Sequence, residues 1–368
     1  MSNKLENNNY QENIELNSRQ QEILNSIINL YILKAVPIGS RPLSKHIEGK
    51  LNLSPATIRN VMADLEDMNY IAHPHTSAGR VPTDKGYRYY VDSLFNMDLN
   101  NNKTQTENVW AYDNSELLNL ENLKNDGDTI FREASKIIGM MSKFLAIVTF
   151  PDIYELIVEK IELIQLSSTK ILVVTALNSN IVRTVTMENN IELNSKNIEL
   201  IKILINERVQ GRTLQFIKDN FFDLVKDVDS ENAPIIRLFI DSLDLLFEKY
   251  KTNEKVITTG TQNLLDYPES INTEKLKSVI ELVENDNIII HLLDNNIENL
   301  GTNNDNLQTK VLIGKEIKND IFEDYSLVIS PYHYGNAIGT IGVIGPKRMN
   351  YQKMISLINT VSNVISIK

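Results

Sequence analysis

Residues 53–69 read LSPATIRNVMADLEDMN, a capped and amphipathic run around which the N-terminal quarter of the chain is built. Ser54 is an oxygen-bearing residue suited to bond the free N–H groups of a helix start, and Pro55 suits the first helical position, where no N–H is needed. Ile58, Val61, Met62, Leu65 and Met68 then recur at helical spacing, which predicts one buried face over residues 55–68. Asn69 follows where a left-handed cap is wanted. The opposite face carries Ala56, Arg59, Asn60 and Ala63, with Thr57 at its edge. Such a face is narrow near its start and bears an amide and a guanidinium, the groups that pair bidentately with adenine and guanine edges in a major groove.

Upstream, Ser18 is the expected cap of a first helix, in which Ile23, Leu24, Ile27, Leu30, Tyr31 and Leu33 recur as far as Ala35. Pro37 and Gly39 stop it. Ser40 is the expected cap of a second helix, with Pro42 in its first turn and Leu43, Ile47 and Leu51 as its buried stripe. Three short helices with a tight link between the second and third make a helix-turn-helix plan. Downstream, Tyr70-Ile71-Ala72 is extended, HPHTSAGR over 73–80 is turn-rich and basic, and Val81-Pro82 is extended again. This predicts a β-wing, with Gly79 easing a tight bend. Thr83 should cap a last helix from Asp84 to Leu94.

The candidate DNA-binding residues follow from this plan. Ser54, Ala56, Thr57, Arg59 and Asn60 lie at the reading end of the third helix, and His75, Thr76, Ser77 and Arg80 lie in the wing. Arg80 is placed to reach a phosphate or the minor groove, while Arg41, Lys45, Lys85 and Arg88 on neighbouring elements suit backbone phosphates. Charge supports the assignment only when counted by segment. The whole chain carries −11, but residues 16–92 hold nine Lys or Arg against seven Asp or Glu, a net +2, so the remainder carries −13. A basic first quarter is thus attached to an acidic body that should repel a polyanion.

Length and composition bound the rest. At 368 residues, two or three domains are expected. The absence of cysteine excludes disulfides, thiolate zinc sites and a cysteine nucleophile. The polar N-terminus has no apolar signal core, and runs such as Ile171 to Leu177 fall far below the roughly 18 residues of a membrane span, so a cytoplasmic protein with no membrane partner is expected. Gly339, Gly342 and Gly345 do not make a dinucleotide fingerprint, Gly314-Lys315-Glu316 is not a phosphate loop, and His73 with His75 lacks a third metal ligand. No catalytic constellation is visible, so no enzyme activity, cofactor or metal is expected. Rival readings are a winged helix that binds protein or RNA and a sensor with a small-molecule pocket.

Along the chain, residues 1–16 are read as a disordered tail, 17–95 as the DNA-binding domain and 96–115 as an Asn- and Thr-rich linker. A helix over 117–143 leads into a strand at 145–150, and three strand runs follow at 156–166, 170–177 and 181–187. Residues 195–250 read as helical, interrupted at Gly211 and Pro234. Strands return at 256–259, 310–313, 326–330 and 339–344, before an amphipathic helix from Tyr351. The fold class is α+β multidomain, with two α+β units after the winged helix, one inserted into the other.

The runs Ser54 to Asn60, Met62 to Glu66, Pro74 to Arg80, Gly86-Tyr87-Arg88 and Tyr90-Val91-Asp92, together with Gly345 to Tyr351 near the C-terminus, resemble the HrcA heat-inducible transcription repressors. The chain departs from that family at Val61, where an acidic residue is usual, and at Asn69, where a glycine is usual. The resemblance implies a GAF-like domain over 116–152 and 254–368, with a dimerising domain inserted over 153–253. It also implies a homodimer that represses chaperone operons through a long inverted repeat in double-stranded DNA, with the chaperonin modulating its activity.

Overall fold

The computed structural model describes residues 16–49, 51, 53–74, 79–100, 115–123, 129–178, 182–188, 195–227, 256–265, 267, 289, 293 and 308–367. Contacts divide the chain into two compact units, Met1–Asn102 and Lys103–Lys368.

In the first unit, α1 spans Ser18–Lys34, α2 Ser40–His46 and α3 Pro55–Asp67. Strands β1 (Ile71–Ala72) and β2 (Val81–Pro82) pair antiparallel, and α4 spans Asp84–Asn100. The cap of α1 is Asn17 rather than Ser18. Its Oδ1 accepts the Gln20 N–H at 3.0 Å, and Gln20 Oε1 accepts the Asn17 N–H at 3.0 Å, a reciprocal capping box, while Gln21, which would complete the same box for Ser18, turns its amide to the Leu16 carbonyl instead. Leu16, expected in a disordered tail, is buried, and its carbonyl accepts the Gln21 side-chain amide at 2.7 Å. Likewise Ser40 is the first residue of α2, and Gly39 caps it without a side-chain bond.

The third helix follows its sequence closely. Ser54 Oγ accepts the Thr57 N–H at 3.1 Å, Pro55 opens the helix, and Asn69 stands left-handed at φ 61°. Ile58, Val61, Met62 and Leu65 are buried against α1 and α2. Val61 therefore serves the core, where the acidic side chain usual in the family would need a partner. Helix α4 continues six residues past the expected Leu94, so 96–100 are helical rather than linker, and 101–114 lie outside the described residues.

Two glycines fix how closely the pieces approach. A Cβ at Gly86 would stand 2.2 Å from the Tyr70 carbonyl oxygen, so the start of α4 lies backbone to backbone on the turn after α3. A Cβ at Gly79 would stand 2.5–2.7 Å from the backbone of Pro37 and Ile38. Gly79 is therefore needed for this contact with the α1–α2 connection, not for the bend expected of it. Ile38 and Arg80 exchange both backbone hydrogen bonds there, at 2.8 Å each.

The second unit begins with α5 (Ser115–Asn122) and α6 (Thr129–Ser142) where one helix was expected; residues 124–128 between them lie outside the described residues. Then come β3 (Leu145–Thr149), β4 (Val158–Gln165), β5 (Lys170–Leu177), β6 (Val182–Glu188), α7 (Ser195–Val209) and α8 (Leu214–Val225). Pro234 and the rest of the helical reading to 250 lie outside the described residues. After them follow β7 (Val256–Thr259), α9 (Thr261–Leu265), β8 (Lys310–Ile313), β9 (Tyr325–Tyr334), β10 (Ala337–Pro346) and α10 (Tyr351–Ile365).

Two antiparallel sheets result. One has the order β7-β3-β10-β9-β8, and the other is the meander β4-β5-β6. Strands β3 and β7 are direct neighbours, and the chain between them builds the meander with α7 and α8. The five-stranded sheet is buried on both faces, which is why β3 reads as an unbroken apolar run instead of an alternation. Helices α6 and α10 pack on it and on each other, while Leu145, Ile147, Leu327, Ile329 and Ile344 join Phe322 and Tyr325 in a buried cluster. In the meander, β5 alternates strictly between more and less buried positions, as expected of a sheet with one covered face.

Candidate nucleic-acid interface

With Ile58, Met62 and Leu65 held inward, Ala56, Arg59, Asn60 and Ala63 are all exposed along α3. Among the described residues neither Arg59 nor Asn60 has a hydrogen-bond or ion-pair partner, so both keep their full donor and acceptor sets for a base edge. Ser54 and Thr57 stand at the same end but are already occupied: their hydroxyls bond each other at 3.0 Å while Ser54 caps the helix. The second half of the exposed stripe carries Asp64 and Asp67, which the sequence reading left out of the site. With no acidic residue in its first turn and the positive end of its dipole there, α3 favours an anion at its N-terminal half and disfavours one at the other.

Arg41 and Lys45 are exposed on α2, and among the described residues neither is engaged by a carboxylate. Lys85 and Arg88 differ. Lys85 Nζ donates to the Met68 carbonyl at 2.9 Å, closing the C-terminus of α3, and lies 4.4 Å from the centre of the Tyr70 ring. Tyr70 in turn meets Tyr89 edge to face at 5.7 Å. Arg88 pairs with Asp92 one turn on, at 3.3 Å, an exposed pair of the kind that holds a side chain only weakly. Deeper in, Tyr90 Oη donates to Asn29 Oδ1 at 2.8 Å, and burial holds the phenol above its usual range.

The wing is gripped by a residue that the sequence reading did not single out. Glu66, in the last turn of α3, contacts His73 Nδ1 through Oε1, and its Oε2 accepts from Arg80 Nε at 3.1 Å and Nη2 at 3.0 Å. Thr83 Oγ1 donates to the Asn69 carbonyl at 2.6 Å and accepts the Gly86 N–H at 3.2 Å, so it caps α4 while tying the second strand to the turn after α3. Arg80 thus sits at the stem of the wing, and His75, Thr76 and Ser77 lie outside the described residues. Glu66 and Arg80 are 14 residues apart, a spacing with no helical or strand periodicity to announce the pair.

No described helix is long and apolar enough to cross a membrane. Comparison with known proteins adds two family matches. Residues 15–93 match the model described as "Winged helix-turn-helix transcription repressor, HrcA DNA-binding", and residues 128–355 match "HrcA protein C terminal domain". Among curated proteins, the heat-inducible transcription repressor HrcA of Chlorobium phaeobacteroides (strain BS1) is 34% identical over 352 residues, 96% of this chain and 98% of that protein. That of Chlorobaculum tepidum is 35% identical over 354 residues, 96% and 97% of the two chains. A solved structure of a protein described as hypothetical shares the fold with a TM-score of 0.60, at 23% identity, over 96% of this chain and 99% of that one.

Proposed function

Because the chain belongs to the HrcA family of transcription repressors, we propose that it silences heat-inducible chaperone genes by binding, as a dimer, an operator built as an inverted repeat. It is a DNA-binding transcription repressor and not an enzyme. The observation that carries the finer reading is the exposed face of α3, where Arg59 and Asn60 stand between the small residues Ala56 and Ala63. A helix of that outline enters a major groove without clash and presents one bidentate donor set and one amide. Arg41, Lys45, Arg80, Lys85 and Arg88 are assigned to phosphates or, for Arg80, to the minor groove, and His75, Thr76 and Ser77 to the wing contact.

The dimer is assigned to the 153–253 segment, inserted within a GAF-like domain over 116–152 and 254–368. Support comes from apolar side chains left in water: Ile164, Leu166 and Val182 on or beside the meander, Leu200 and Ile203 on α7, and Phe216 and Phe222 on α8 are each 43–71% exposed. Exposed apolar surface of this extent marks an association site. Modulation by the chaperonin and a cytoplasmic setting complete the reading. Footprinting on the protein's own genome tests it: protection of paired, inverted half-sites upstream of chaperone genes is expected, and protection of a single unpaired site would overturn the dimeric operator.

A further inference from the structure

We propose that Glu66 is a positioning residue for DNA binding: it holds one edge of the Arg80 guanidinium so that the other edge meets a phosphate. The inference rests on the reading that the winged helix binds duplex DNA. Three observations carry it. First, Glu66 divides its oxygens, Oε1 to the His73 ring and Oε2 to both Nε and Nη2 of Arg80, so the carboxylate is fixed from two sides. Since a carboxylate only accepts, both partners donate to it. Second, Arg80 is itself immobilised at its backbone by the paired bonds with Ile38 and by the contact of Gly79 with the same segment. Third, the Arg80 side chain keeps 20% of its surface in solvent and, among the described residues, Nη1 has no partner.

A planar fork held along one edge has few rotamers left to lose when its second edge binds an anion. Without Glu66, the same side chain would have to be ordered at the moment of binding. Position supports this as well. His73 follows β1 and Arg80 precedes β2, so one carboxylate spans both stems of the wing and fixes it to the end of the helix that reads the groove.

The sign of the effect makes the proposal testable. Removing an acidic side chain near DNA ordinarily tightens binding, because repulsion of the polyanion falls. Positioning predicts the reverse. Full-length Glu66→Ala, Glu66→Gln, Arg80→Ala and the Glu66→Ala/Arg80→Ala double variant are titrated with a 30-base-pair duplex of mixed sequence across a salt series, after circular dichroism has checked each fold. Glu66→Ala and Arg80→Ala are each expected to lower the slope of log affinity against log salt by about one, which is roughly eightfold weaker binding at 0.1 M salt. Glu66→Gln, which keeps an acceptor for Arg80, should fall between, and the double variant should be no weaker than Arg80→Ala.

Tighter or unchanged binding by Glu66→Ala overturns the proposal, as does an equal loss in the Arg80→Ala background. Should Glu66→Ala not fold, Arg80→Lys decides: it keeps the charge but lacks the fork, so wild-type binding by that variant would overturn the proposal. A wild-type protein without salt-dependent binding would instead overturn the DNA reading beneath it.

Discussion

At the scale of single residues, the proposed base readers and phosphate contacts are told apart by which duplexes each substitution weakens. Among the described residues Asn60 has no hydrogen-bond partner, so Asn60→Ala should leave the thermal midpoint alone and cost about 1–3 kcal/mol on the operator, with mixed-sequence duplex bound as before. Parallel titrations on the two duplexes check this. Arg41→Ala should weaken both duplexes alike and lower the salt slope by about one, because a phosphate contact carries no sequence. Ser54 carries a folding duty besides: as a helix cap, its replacement by alanine should cost about 1 kcal/mol of folding stability, read by chemical denaturation. Ser54, Pro55 and Asn69 were legible in the sequence because caps are set by neighbours within three or four residues. The choice of Asn17 over Ser18 was missed because Gln20 and Gln21 give each of them a capping partner three positions on, so spacing alone does not separate the two. Glu66 was missed because its partners come from across the wing.

At the scale of elements, α3 reads as it folds, since hydrophobic spacing, cap and stop agree. Helix α4 is packed by a feature that periodicity does not show, the absent side chain at Gly86. Gly86→Ala would force a methyl into the Tyr70 carbonyl, and either α4 or the turn must yield. The expected result is a loss of about 1–3 kcal/mol in thermal or denaturant unfolding, with weaker DNA binding because the wing hangs from that turn. Strands β5, β7 and β8 match their sequence runs from end to end, since turns and polar residues bound them. Strand β9 runs four residues past the expected Ser330, through Pro331 to Tyr334, because pairing with β10 continues to Ala337 and outweighs the proline as a break.

At the scale of the whole molecule, one winged helix with a net charge of +2 over residues 16–92 is too sparsely charged to hold DNA tightly alone, and the proposed dimer would supply avidity of about 10²–10⁴ without a new contact. A fragment ending at Asn100 should therefore be monomeric in sedimentation and bind the operator near the non-specific range of roughly 10⁻⁴–10⁻⁶ M. Inserting half a helical turn between half-sites should abolish tight binding by the full chain, while a full turn should be partly tolerated. The succession of helices and strands could be read from sequence, but sheet order could not, because β3 pairs with strands that the chain reaches much later. That order has a consequence in time. Strand β3 lies between β7 and β10, and its partner in β10 comes about 190 residues later. At a synthesis rate of about 5–20 residues per second, Leu145 to Val148 must wait roughly 10–40 seconds on the ribosome for the strand that covers them. The reading head closes far sooner: among the described residues its longest side-chain hydrogen bond, Tyr90 to Asn29, spans 61 residues. Each new copy thus passes through an interval in which a finished DNA-binding head is joined to a body whose β3 still lacks its β10 neighbour and shows that edge to the solvent.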